Sequence, residues 1–172
     1  MHDCSDLLIT GQEGSILTSR NPTTSRRDIE RFLRVDHAGE RAAQQIYKGQ
    51  LAVLANHEMA DEIQHMMDQE VEHLETFDSL LNERKVRPSL LDPLWGLAGF
   101  TLGVVTAAMG PKAAMACTIA VEEGIGEHYQ KQADILCEDE RDMHAIIERF
   151  RDEELEHRDF AVDHEVRRSE AL

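Results

Sequence analysis

The chain has 172 residues, 41% apolar and 30% charged, with a formal net charge of −16. That length is one domain's worth and is enough to bury a core without disulfides or a structural metal. The acidity excludes an ordinary nucleic-acid role, and three scattered cysteines (Cys4, Cys117, Cys137) with no CxxC exclude a zinc ribbon or disulfide framework and point to a reducing compartment.

Residues 1–27 read as a flexible polar arm. Met1 to Asp6 is acidic with no apolar run behind it, so it does not read as a secretory signal. Residues 14–27 carry three Arg and no acid, faintly like a transit segment, and are better read as a disordered lead-in. From Asp28 to about Asn56 the pattern is helical, with Ile29, Leu33, Tyr47, Leu51 and Leu54 on one stripe. A second helix is predicted from Glu58 to Glu83, its stripe made by Ile63, Met66, Met67, Leu74, Phe77 and Leu81. Pro88 and Pro93 break the pattern. Leu94 to Met109 then runs without a charge. It is short of the roughly 20 residues a membrane span needs. A buried crossover helix is the preferred reading, and a helix lying in a membrane surface is the other. After Gly110-Pro111, helices are predicted over Lys112–Leu136 and Glu140–Val166, leaving residues 167–172 as a short charged tail. Few residues favour strands. Residues 28–166 thus form an all-α, ferritin-like four-helix bundle with an extra apolar crossover helix.

Glu70 and His73 make an ExxH on the second helix, and Glu154 and His157 make another on the last. Three-residue spacing puts both side chains of a pair on one face. With 34 acids and 9 His, chance pairs are expected, and Glu62–His65 is one. Helical phase separates them. At about 100° per residue, Glu70 falls mid-stripe, whereas Glu62 is about 80° and His65 about 140° off. The same test puts Glu40, Glu122 and Glu154 at the centres of their own stripes. Four helices therefore each point a Glu at the core. Buried, unpaired carboxylates protonate or find a cation, and two divalent ions would match four carboxylates. The halves also repeat: Glu40 precedes Glu70 by 30 residues and Glu122 precedes Glu154 by 32, while Tyr47 and Tyr129 each follow their Glu by seven. A lone Glu from two helices and ExxH from two others is the ligand set of di-iron and di-manganese bundles. Hard carboxylates with imidazole suit iron or manganese and leave zinc open. Glu40 and Glu122 are candidates to bridge or swing between the ions, Glu70 with His73 and Glu154 with His157 would each hold mainly one ion, and Asp36 and Asp152 are the expected partners that orient the imidazoles. Core packing is the default role for both tyrosines, lining a substrate pocket the alternative.

RVDHAGERAAQQIYKGQLAVL (34–54), MMDQEVEHL (66–74), VRPSLLDPLWGLAGFTLG (86–103), AMACTIAVEEGIGEHY (114–129) and FRDEELEHRDFAVDHE (150–165) resemble the demethoxyubiquinone hydroxylase family, over about residues 30–165. The resemblance implies a di-iron monooxygenase of ubiquinone biosynthesis that hydroxylates the ring of a demethoxy polyprenyl benzoquinol. The family's metal ligands fall on Glu40, Glu70, His73, Glu122, Glu154 and His157, and its His-Tyr pair near the quinone on His128 and Tyr129. It also implies two iron ions and a peripheral membrane contact through residues 94–109. The location would be the cytoplasmic face of a bacterial inner membrane or the matrix side of the mitochondrial inner membrane. A homo-oligomer or a lipid-carrier partner is compatible with it. Two departures stand out. Arg41-Ala42-Ala43 follow Glu40 where the family usually has Tyr-Gly-Ala, and family members continue past the last ExxH into a further apolar helix where this sequence closes on EVRRSEAL. The electrons would come from NADH or from reduced quinone. No GxGxxG occurs, so a built-in nicotinamide site of the usual kind is not supported. The alternatives are a ferroxidase or iron-storage subunit resembling bacterioferritin and a metal-free helical interaction protein.

Overall fold

The computed structural model describes residues 24–136 and 138–170, with the side chains of 138 and 165–170 left aside. The expected polar arm therefore lies almost wholly outside the described residues, as do Cys4 and Cys137. Five long helices account for nearly all that is described: α1 (Arg26–Leu54), α2 (Ala60–Arg84), α3 (Asp92–Ala108), α4 (Pro111–Ala133) and α5 (Arg141–Glu170). A single 3₁₀ turn, Glu138–Glu140, precedes α5. There is no strand among the described residues. α1, α2, α4 and α5 form the ferritin-like bundle, and α3 is the crossover between its two hairpins.

Local chemistry sets the helix ends. Ser25 caps α1 by accepting from the Asp28 backbone N–H. Pro stands in the first turn of both α3 and α4, where a missing N–H costs nothing. α2 ends on Lys85 in the left-handed region (φ +55°), with Val86 N–H returning to Leu81 O at 2.9 Å and the Val86 side chain buried against the core. α5 continues to Glu170, past the Val166 at which the apolar periodicity faded.

The apolar core comes in two plugs. One, at the end holding the start of α1 and of α5, contains Phe32, Leu33, Phe77, Tyr129, Ile147 and Phe150. The other contains Tyr47, Ile63, Met66, Met115 and Ala161. Between them lie the buried glutamates and histidines: Glu40, Glu70, His73, Glu122, Glu154 and His157.

α3 differs from expectation. It is not a buried crossover. Only Gly99, Gly103 and Ala107 are buried on it. These small residues let it lie directly on the back of α1. A Cβ at Gly99 would stand 2.5 Å from Ala42 O, and Cβ atoms at Gly49 and Gly103 would collide with the opposing backbone still more severely. Charge fixes its start. Buried His37 of α1 sits between Asp78 of α2 (3.0 Å) and Asp92 at the first turn of α3 (3.3 Å), and Arg41 pairs with Asp92 at 3.4 Å. The outward side stays apolar and open, with Leu90 96% and Met109 73% exposed, and Leu94, Trp95, Leu97, Leu102 and Val105 also exposed. No described helix is long and apolar enough to cross a membrane.

Gly103→Ala tests this contact. A methyl group driven into the Ile46 carbonyl should cost about 1–3 kcal/mol, read as a lower urea midpoint. An unchanged midpoint would mean that α3 is held by something other than backbone-to-backbone approach.

Candidate metal centre

Helical phase carries the six expected ligands to the same level of the bundle. Glu40 lies on α1, Glu70 and His73 on α2, Glu122 on α4, and Glu154 and His157 on α5, none more than 3% exposed. Their donor atoms fall into two groups: Glu40, Glu70, His73 and Glu154, and then Glu70, Glu122, Glu154 and His157. Within each group the atoms lie within 4.8 Å of one another. Glu70 and Glu154 belong to both. The ExxH glutamates stand between the two groups, whereas Glu40 and Glu122 each sit at one end. Glu62 and His65 face away from this level, with His65 exposed.

The donors fit a hard cation. Glu40 Oε2, both oxygens of Glu70 and of Glu154, Glu122 Oε2, and Nδ1 of both His73 and His157 are buried without a hydrogen-bond partner among the described residues. Such orphaned atoms are rare in a folded interior. Burial, and then the charge of Glu154, push the Glu40, Glu70 and Glu122 carboxyls well above the usual range. Glu154 is the exception. Burial opposes its charge, but the facing imidazoles of His157 and His73, with Nδ1 atoms 3.3 and 3.1 Å from its oxygens, win and hold it at about 2. The imidazoles respond in kind. Against burial, Glu154 and Glu70 lift His73 and His157 to about 9. Where no cation neutralises them, burial and repulsion thus favour protonation of Glu40, Glu70 and Glu122, and the facing carboxylates favour protonation of both imidazoles.

The surrounding hydrogen bonds cross from one half of the chain to the other. Tyr47 of α1 donates to Glu122 of α4, and Tyr129 of α4 donates to Glu40 of α1. The tyrosines are core residues, as the default reading had it, and each also holds a glutamate of the opposite half. His73 Nε2 lies 2.6 Å from Glu153 Oε2, and His157 Nε2 lies 3.0 Å from Gln69 Oε1. These displace Asp36 and Asp152 as the partners of the imidazoles. Asp152 is turned outward to Arg151 at 2.8 Å. Asp36 is buried one turn before Glu40 and takes a hydrogen bond from Gln132. Gln69 and Glu153 carried a signal that was overlooked, because each immediately precedes the glutamate of its ExxH.

A cavity of about 370 Å³ opens between α1 and α4 and reaches this level. Val35, Asp36, Gly39 and Glu40 line one wall, and Val121, Gly124, Ile125, His128 and Tyr129 the other. Burial raises the Asp36 carboxyl to about 6, against the pull of His128 and Gln132. His128 sits half-exposed at the mouth, its Nε2 3.2 Å from Asp36 Oδ1 and 2.7 Å from Gln132 Nε2. Gly39 and Gly124 lie mid-helix with nothing within 4 Å of where a Cβ would stand. A glycine there costs its helix roughly 1 kcal/mol against alanine, and no close packing demands it.

The family profile described as ubiquinone biosynthesis protein COQ7 matches residues 27–172. The chain belongs to the COQ7 family. It is similar to the 3-demethoxyubiquinol 3-hydroxylase of Rhodospirillum rubrum, with 53% identity over 145 residues, 84% of this chain and 68% of that one. It is similar to the mitochondrial NADPH-dependent 3-demethoxyubiquinone 3-hydroxylase of Homo sapiens, with 47% identity over 146 residues, 83% and 67% of the two chains. To the mitochondrial 5-demethoxyubiquinone hydroxylase of Saccharomyces cerevisiae it is 42% identical over 154 residues, 80% of this chain and 66% of that one. The matched region of the COQ7 family includes the α1–α4 cavity and all six buried donors.

Proton linkage gives this COQ7-family centre a sign. Imidazoles lifted to about 9 favour the metal-free fold fully below about 6.5, and that contribution is lost as pH rises through 9. The raised carboxyls act in the same direction. Chelated protein should therefore lose stability between pH 6.5 and 9. Metal uptake at pH 7 should release at least the protons of His73 and His157, which calorimetry in buffers of contrasting ionisation heat would detect. Proton-neutral uptake would contradict the protonated-cluster description.

Proposed function

We propose that the chain is a di-iron monooxygenase that hydroxylates the ring of a demethoxy polyprenyl benzoquinol in ubiquinone biosynthesis. The observation that carries this is a buried, two-lobed carboxylate–imidazole cluster whose Glu40 forms part of the wall of an open cavity, in a chain of the COQ7 family. Glu40 and His73 would hold one ion and Glu122 and His157 the other, with Glu70 and Glu154 shared. Two bound irons would supply oxygen reduction beside the cavity, one oxygen atom entering the ring and the other leaving as water, with two electrons drawn from a reductant. Several relatives are named as NADPH-dependent, which supports a nicotinamide as that reductant, and reduced quinone is the other source in keeping with the sequence. Manganese fits the same donors.

The chain's own residues do the rest. The apolar plugs on either side of the cluster keep bulk water from it. Tyr129 fixes Glu40 in one orientation. Asp36, with its carboxyl near 6 and His128 beside it, is placed to carry a proton between solvent and a ring hydroxyl in the cavity. Gly39 and Gly124 leave the room a planar ring needs. The open apolar side of α3 supports a peripheral seat on the membrane that holds the prenylated substrate, at the cytoplasmic face of a bacterial inner membrane or the matrix side of the mitochondrial one. The cavity also separates this reading from an iron-storage subunit, which has no use for an organic ring beside its irons.

The test is a single turnover. Ferrous-loaded protein is mixed with a short-tailed demethoxyquinol and air, and ring-hydroxylated product is read by mass spectrometry. Glu154→Ala should abolish product. Gly124→Leu should retain metal and fold but lose product by roughly 100-fold or more, since misplacing the ring by about 1 Å already costs that much. Leu97→Glu should spare the short-tailed substrate and impair a long-tailed one held in vesicles. No product from a chain holding two irons would sink the hydroxylase reading.

A further inference from the structure

The residues just before the two ExxH glutamates are not ligands, yet each spans the bundle. Glu153 of α5 holds His73 of α2, and Gln69 of α2 holds His157 of α5. With Nε2 engaged as donor, Nδ1 is the nitrogen that gives up its proton and offers a lone pair when a cation binds. Both Nδ1 atoms face the cluster, His73 Nδ1 3.1 Å from Glu154 Oε1 and His157 Nδ1 3.3 Å from Glu70 Oε1. The two straps occupy equivalent places in the repeated halves and differ in one respect, which is charge.

That difference reaches the metal. An imidazole whose N–H is bonded to a carboxylate is a stronger donor than one bonded to a neutral amide. Glu153 is itself held in place, since Arg149 donates to its other oxygen, Oε1, at 3.3 Å and to Glu72 at 2.9 Å. Oε2 is thereby left for His73. Gln69 brings the same geometry without the charge. We infer that Glu153 and Gln69 are positioning residues that make the two metal sites unequal, with the stronger site at His73 and Glu40 and the weaker at His157 and Glu122. This rests on the reading that the cluster holds two ions. Glu40 also walls the cavity, so the more firmly held ion is the one beside the substrate.

The experiment is an anaerobic ferrous-ion titration of the full metal-free chain by calorimetry, as wild type, Glu153→Gln and Gln69→Glu. Repulsion between two ions alone gives unequal steps, so the variants decide. Glu153→Gln keeps an acceptor for His73 and removes only charge. It should weaken the first step about 10- to 100-fold and draw the two steps together. Gln69→Glu should strengthen the second step by a similar factor, and it stands on its own if the first variant fails to fold. With one equivalent of Mn(II), wild type should show chiefly the mononuclear resonance and Glu153→Gln a larger share of coupled pairs. Unchanged steps in folded variants that take up two ions would overturn the inequality alone. A wild-type chain that binds no ferrous ion would overturn the metal reading with it.

Discussion

Four glutamates at one level of a helical bundle, shielded from water above and below, cannot all carry charge unaided. Removing an ion from water costs on the order of several kcal/mol even after relaxation, and carboxylates this close repel each other. Burial and mutual repulsion push the Glu40, Glu70 and Glu122 carboxyls towards their neutral form, while Glu154 is held ionised by two imidazoles that are themselves pushed towards their charged form. Bound cations would meet the same constraint. The tyrosine straps, the acceptors on the imidazoles and the flanking apolar plugs all follow from holding these six side chains where protons or metals satisfy them.

The same constraint explains why the halves are tied crosswise. A ligand restrained from its own helix would move with that helix. A ligand held from the opposite hairpin ties the hairpins together, so Tyr47 on Glu122 and Tyr129 on Glu40 make cluster geometry and bundle packing one property. α4 and α1 then meet along a seam that stays open at Gly39 and Gly124. Along that seam the cavity reaches Glu40 of the cluster.

Much of this was legible in the sequence. A periodicity of 3.6 put Glu40, Glu70, Glu122 and Glu154 at the centres of apolar stripes, the ExxH spacing added His73 and His157, and the same periodicity dismissed Glu62–His65. What it missed follows from pairwise packing. α1 buries Phe32, His37, Ile46 and Gly49 as well as its predicted stripe, since α3 lies on its far side. A single-stripe reading has no place for a helix buried on two faces. α3 looked fully buried because it carries no charge, yet only its small residues are covered. Which glutamates are shared, and which residues strap the imidazoles, depends on the relative rotation of α2 and α5. Spacing within one helix says nothing of that, although aligning the two ExxH repeats would have put Gln69 opposite Glu153.

The central claim is that the cluster is a two-ion site with Glu70 and Glu154 between the ions. Anomalous diffraction at the iron edge, from crystals loaded anaerobically, tests it most directly. The account predicts two peaks roughly 3.5–4 Å apart, each contacted by one histidine through Nδ1, with Glu70 and Glu154 between them. A single peak, none, or iron bound through Nε2 with Glu153 and Gln69 displaced would contradict it.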